Sequence, residues 1–138
     1  MGKYNIRTVK DKDAKYRNLL GHKLKEELRD SILDVILIQK KYKDKDYSAK
    51  KLAEEIGTNT RYISAVIASM FHTNYSSLVN QYRVNDAMSI LSDKRNKNLR
   101  IEEVSEMVGF STRQSFYAAF YKFTGITPRQ YKMDHMKK

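Results

Sequence analysis

The chain is 138 residues long, with 27 basic and 16 acidic side chains, a net charge of +11 and 41% hydrophobic residues. That is enough for one domain, or two small lobes sharing a core, and its charge balance favours a polyanionic partner. It contains no cysteine, which excludes a disulfide framework, a thiolate zinc site and a cysteine nucleophile. Its longest apolar run, residues 32–38, is interrupted by Asp34 and falls far short of a membrane span, and no apolar stretch follows the basic N-terminus as a signal peptide requires. No membrane partner is therefore expected, and a cytoplasmic location is the default.

One proline and five glycines predict an all-α chain. Residues 1–20 are charged and weakly patterned, which reads as a mobile arm. A helix is predicted from about Lys23 to Tyr42, with Leu24, Leu28, Ile32, Val35 and Ile36 on one stripe. Leu33 and Leu37 lie off that stripe. The excess reads as burial on a second side, with a contact to a second copy or an upstream sensor domain through residues 24–38 as the alternative. Residues 43–46 form a solvated connection.

Ser48 is placed to cap the next helix, with Tyr47 and Leu52 as a hydrophobic staple. Leu52-Ala53-Glu54-Glu55-Ile56 then meets Gly57, where a left-handed turn residue belongs, and Asn59 caps a helix reaching about Phe71. A long helix follows from about Ser76 to Ser92, with Leu78, Val79, Tyr82, Ala87, Ile90 and Leu91 inward. Residues 94–98 form a basic loop.

The pattern then returns. Ile101, Val104 and Val108 mark a helix, Gly109 a turn, and Ser111 with Gln114 three residues on reads as a capping box. Phe116, Ala119, Phe120 and Phe123 give an inward stripe. Thr127, Pro128 and Gln130 open a short last helix that carries Tyr131 inward and frays through residues 137–138. The offset between the two units is 52 before the turn and 53 after it, because Phe110 is an extra residue. Ile63 therefore matches Phe116, Ala65 matches Ala118 and His72 matches Gly125. Helix, glycine turn, capping residue, helix is the pattern of a helix-turn-helix. The expected organisation is the arm over 1–20, a helix and first helix-turn-helix over 21–75, a linker helix over 76–93, and a second helix-turn-helix with a C-terminal helix over 94–138.

The second unit, from Ile101, Val104, Ser105, Val108, Gly109, Phe110 and Ser111 through Phe120, Lys122, Thr124, Gly125, Ile126, Thr127, Pro128 and Tyr131, resembles the C-terminal signature of the AraC/XylS family of bacterial transcription regulators. The first unit, with Tyr82, Arg83, Val84, Ala87 and Leu91 on the joining helix, resembles that family's first half, so the likeness covers about residues 24–133. Gly57-Thr58-Asn59 and Asn80-x-Tyr82-Arg83 are also similar to members from the Bacteroidetes. The resemblance implies seven helices in two lobes, two recognition helices entering the major groove of double-stranded DNA one turn apart, and activation of transcription through contact with RNA polymerase.

A recognition helix shows one face to base edges while the other holds the fold. In the first unit Ile63, Val66, Ile67 and Met70 face inward, leaving Thr60, Arg61, Ser64, Ala65 and Ala68 outside. In the second, Thr112, Arg113, Gln114, Tyr117, Ala118 and Tyr121 are outside. Arg61 and Arg113 can fork onto guanine, and Gln114 can read adenine. Alanine at 65 and 118, where family members often carry a long base-reading side chain, shifts weight toward backbone and DNA shape. Phosphate contacts are expected from Ser48, Asn59, Ser111, Tyr121, Thr127, Arg129 and Lys132, and from Lys94, Arg95 and Lys97 in the loop. His72 stands where a glycine usually ends the first recognition helix, so a looser helix end is expected there. Arg100 sits at a cap position without a capping side chain.

The competing classes have weaker support. His22, His72 and His135 are scattered, and no metal-ligand spacing, nucleophile–base pair or glycine-rich phosphate loop is present. The sequence therefore points away from an enzyme, a cofactor or a small-molecule site. The pairs Glu54-Glu55 and Glu102-Glu103 read as solvated faces. A protein-interaction module or a non-specific nucleic-acid-binding helical domain remains the alternative function.

Overall fold

A computed structural model describes residues 21–136; the expected arm and the end of the tail lie outside them. The described residues form helices and no strand. Helix α1 covers 21–33 and continues into a π-helical turn, Asp34–Ile38. The helix predicted to reach Tyr42 stops at Ile38. The Gln39 N–H closes back on the Asp34 carbonyl at 2.9 Å, and Lys40 turns left-handed at φ 56°. A short 3₁₀ turn, Lys41–Lys43, buries Tyr42. The second side of α1 is also a correction: off the stripe, Leu33 is half-buried and Leu37 41% exposed, so that side is not deeply sandwiched, and Leu24, expected on the stripe, is 45% exposed.

Helix α2, Ala49–Ile56, starts where Ser48 Oγ accepts from the Lys51 N–H at 3.2 Å. It ends at Gly57, whose φ of 88° lets the amides of Gly57 and Thr58 both reach the Ala53 carbonyl. Asn59 caps α3, Thr60–Val66, which runs on as a π-helical turn, Ile67–Phe71, into a left-handed His72. The looser helix end expected from His72 is that turn. Asn74 caps α4, Tyr75–Ser92. A 3₁₀ turn, Lys94–Asn96, leads to α5, Ile101–Val108, then α6, Arg113–Thr124, and α7, Pro128–Met136, which opens on a Gln130 N–H bond to Thr127 Oγ1 at 3.1 Å.

Two cores result. The first joins α1, α2, α3 and the start of α4 around Ile32, Ile36, Leu52, Ile63, Ile67 and Val79. The second joins the end of α4 to α5 and α6 around Val84, Leu91, Val104, Val108, Phe116 and Phe120. Phe116 and Phe120 meet edge-on at 5.8 Å, as do Phe120 and Tyr131 at 5.5 Å. Phe123, predicted to continue this stripe, is instead 37% exposed.

Helix α4 explains why its sequence lacks a single stripe. At 3.6 residues per turn, Leu78 and Val79 point roughly 160° away from Val84, Ala87 and Leu91. The first pair enters one core and the second set the other. The lobes therefore sit on nearly opposite sides of one rod, and Val84, fully buried, was not among the residues predicted inward.

Candidate nucleic-acid interface

Each helix-turn-helix builds an outward helix by the same physical steps. In the first, Ile63, Val66 and Ile67 are buried, which turns Thr60, Arg61, Ser64, Ala65 and Ala68 to the surface. Arg61 has no side-chain hydrogen bond or ion pair with another described residue, so its five donors are available to a ligand. Tyr62, 52% exposed beside it, was missed as a candidate. Its signal was present in the sequence, since it falls off the buried stripe by the same periodicity.

In the second unit Phe116, Ala119 and Phe120 are buried, and Arg113, Gln114, Ala118 and Tyr121 are exposed. Two expectations need correction. The capping box at Ser111 does not form; Thr112 caps α6, its Oγ1 accepting from the Ser115 N–H at 3.0 Å. The extra residue, Phe110, is buried and lies 5.2 Å from the Phe116 ring, which moves the cap one residue along the chain. Tyr117 is not free on the outer face either. It is half-buried, edge-on to Phe116 at 6.0 Å, and it carries Arg113 on its ring. The Arg113 guanidinium is 5.0 Å from the ring centre and 3.4 Å from the Glu102 carboxylate. The hydrogen bond to Tyr117 first, then the neighbouring negative groups, holds its charge more firmly than usual.

The candidate phosphate residues fall into three groups. Ser48, Asn59 and Thr127 have their side-chain oxygens engaged as helix caps. They stand at helix N-termini, where an anion is favoured. Ser111, Lys97, Tyr121 and Arg129 are exposed, as is Lys94. Arg95 and Lys132 are tethered: Arg95 Nη2 lies 2.7 Å from Asp93 Oδ2, and Lys132 Nζ donates to the Leu99 carbonyl just before α5. Arg95 in turn pulls the Asp93 carboxyl below the ordinary carboxylate range.

Arg113, Tyr117, Arg129 and Lys132 come together in one cleft at the starts of α5, α6 and α7, with Arg100 as a fifth wall. Arg100 starts α5 without a side-chain cap, as expected, and pairs with Glu103 at 2.8 Å. Ser48 and Ser111 meet in a second cleft, between the lobes, beside Arg83. Among the described residues no cluster of His, Asp and Glu could hold a metal ion, and no helix is long and apolar enough to cross a membrane.

Comparison with known proteins places this geometry. Residues 52–134 match a family described as a helix-turn-helix domain. The chain is 23% identical over 120 residues to an uncharacterized HTH-type transcriptional regulator, YtdP, of Bacillus subtilis, covering 87% of this chain and 14% of that protein. It is 24% identical over 89 residues to the melibiose operon regulatory protein of Escherichia coli K12, covering 64% of this chain and 28% of that protein. The chain thus spans well under half the length of these relatives. The C-terminal domain of AraT, a response regulator from Geobacillus stearothermophilus, superposes with a TM-score of 0.67 at 28% identity, over 80% of this chain and 87% of that one.

Proposed function

Because the chain belongs to the AraC-type helix-turn-helix family of DNA-binding transcription regulators, we propose that it binds double-stranded DNA sequence-specifically, laying α3 and α6 into successive major-groove segments and activating transcription through contact with RNA polymerase. The observation that carries this reading is the repeated geometry: two helices, each behind a left-handed glycine turn and a side-chain cap, each with a buried apolar face and an exposed polar one. Arg61, Arg113 and Gln114 are the base-reading side chains, with Thr60, Ser64, Ala65, Thr112, Tyr117 and Ala118 shaping the surface around them. At positions 65 and 118 the alanines can touch at most a thymine methyl, which raises the share of recognition owed to the DNA backbone and shape.

Gel-shift titration and footprinting test this. With about six to ten phosphates engaged, affinity falls by roughly 10³–10⁵ between 50 and 200 mM salt. Arg61→Ala and Gln114→Ala each relax base preference at separate positions about ten base pairs apart. A single short protected patch, or no binding to any duplex, contradicts the reading. The exposed Leu37 and Ile38 on α1 support a contact with a second copy or a sensor domain. Ile38→Asp abolishes such a contact, read as a fall in sedimentation mass or in co-purification.

A further inference from the structure

The junction between the lobes carries a polar arrangement that base reading does not require. Arg83 leaves α4 at the level where the helix passes from one core to the other. Its Nε donates to the Tyr42 carbonyl at 2.7 Å, its Nη2 to the Asp44 carbonyl at 3.3 Å and its Nη1 to Asn80 Oδ1 at 3.2 Å. Its flat face lies 5.6 Å from the Phe110 ring centre, in the turn of the second unit. The same 3₁₀ turn is held a second time by α4, one turn further on: Tyr42 Oη donates to Asp86 Oδ2 at 3.1 Å, and Lys43 Nζ lies 3.5 Å from that oxygen. Gly109 completes the seat, since a Cβ there would stand 2.3 Å from the Tyr42 carbonyl oxygen. A segment of the first lobe is thus clamped between α4 and the turn that aims α6.

We propose that Arg83 is a positioning residue that fixes the separation and angle of α3 and α6, and so selects operators by the spacing between their two half-sites. The spacing role rests on the two-helix reading above. A guanidinium suits the task because its planar fork reaches two carbonyls and an amide while its face covers an aromatic ring; an ammonium reaches fewer of these at once. The contact with Tyr42 is partly buried, so removing the donors strips the Tyr42 carbonyl of its bond to Arg83, while the Asp44 carbonyl keeps the Tyr47 N–H, and lets the turn lift from Gly109.

The absence of cysteine makes the test direct. Ser69→Cys and Lys122→Cys, both at exposed positions on α3's extension and on α6, carry a nitroxide pair in the full chain. Pulsed dipolar spectroscopy is expected to give one narrow distance distribution, broadened at least about twofold by Arg83→Met, with Arg83→Lys intermediate. Circular dichroism confirms that the helices remain, and Arg83→Lys keeps the test open if Arg83→Met does not fold. In the second arm, the native chain selects duplexes from random DNA, and the winners are remade with one base pair added or removed between the two protected segments. The native chain is expected to lose about tenfold or more in affinity per step, and Arg83→Lys clearly less. An unchanged narrow distribution in a folded variant overturns the proposal, and so does broadening with undiminished spacing preference. If the native chain enriches no duplex, the DNA reading and the spacing role fall together, while the distance measurement still reports whether the clamp exists.

Discussion

Arg113 and Tyr117 lie one turn apart on α6, with the guanidinium 5.0 Å from the ring centre and Nη2 3.4 Å from the phenol oxygen. Glu102, reaching from α5 to within 3.4 Å of Nη1, completes the cradle. These partners compete with the guanine edge that Arg113 is proposed to read. Glu102→Gln removes the competing charge and is expected to tighten DNA binding by about two- to fivefold at low salt, the range set by exposed ion pairs. The gain should vanish in an Arg113→Ala background, which a double-mutant cycle by gel shift measures.

The two turn glycines look alike in sequence and should respond very differently to alanine. Gly57 has φ 88° and open space where a methyl would stand, whereas Gly109 has φ 105° and the Tyr42 carbonyl in the way. Gly57→Ala is expected to cost about 1–2 kcal/mol from the left-handed backbone alone. Gly109→Ala adds a backbone clash and should cost on the order of 4 kcal/mol, enough to leave little folded protein. Denaturant unfolding distinguishes them.

The cap of α6 makes a similar contrast. Thr112→Ala loses the bond to the Ser115 N–H and should destabilise by about 1 kcal/mol, as should Asn59→Ala in the first unit. Ser111→Ala, the substitution a sequence reader would choose, should be near neutral. Thermal melts of the three variants side by side decide the point.

Much of this arrangement was legible because it is local. Glycine at the two turns, Ser48, Asn59 and Thr127 at helix starts, and the Ile63–Val66–Ile67 and Phe116–Ala119–Phe120 stripes each depend on neighbours within a few residues. The failures came from distant partners. Lys40 breaks α1 so that Tyr42 can reach Asp86 and Arg83, contacts more than forty residues away in the chain. The one-residue slip from Ser111 to Thr112 depends on where Phe110 finds its pocket. The exposure of Leu37 and Ile38 depends on no second layer forming over α1 among the described residues, which a periodicity cannot reveal.

His72 ends the π-helical extension of α3 at φ 56°, a conformation that glycine adopts freely and histidine does not. His72→Gly is expected to stabilise the chain by roughly 0.5–1 kcal/mol, net of the greater freedom glycine gains on unfolding. Urea midpoints at unchanged slope check this.

Alkali should loosen the lobe junction. Burial first, then the Asp86 carboxylate, pushes the Tyr42 hydroxyl from 10.0 up to about 12. Above pH 10 the unfolded chain releases this proton while the folded chain retains it, so the contribution of Tyr42 to stability is level below pH 10 and falls between pH 10 and 12. The fall attributable to Tyr42 is about 1.4 kcal/mol per pH unit. Tyr42→Phe should flatten that part of the slope, at the expense of about 1 kcal/mol near neutrality for the lost bond to Asp86. Stability profiles of both proteins across this range provide the comparison.

Because α4 anchors Leu78 and Val79 on one flank and Val84, Ala87 and Leu91 on nearly the opposite one, it works as a torsion bar keyed at both ends. Side-chain replacements along it alter fit locally, but a single inserted residue between Val79 and Val84 advances everything beyond by about 1.5 Å and twists it by about 100°. Length changes in this stretch would dephase the two halves even with every contact residue intact, so the bar's residue count is itself part of what the chain encodes.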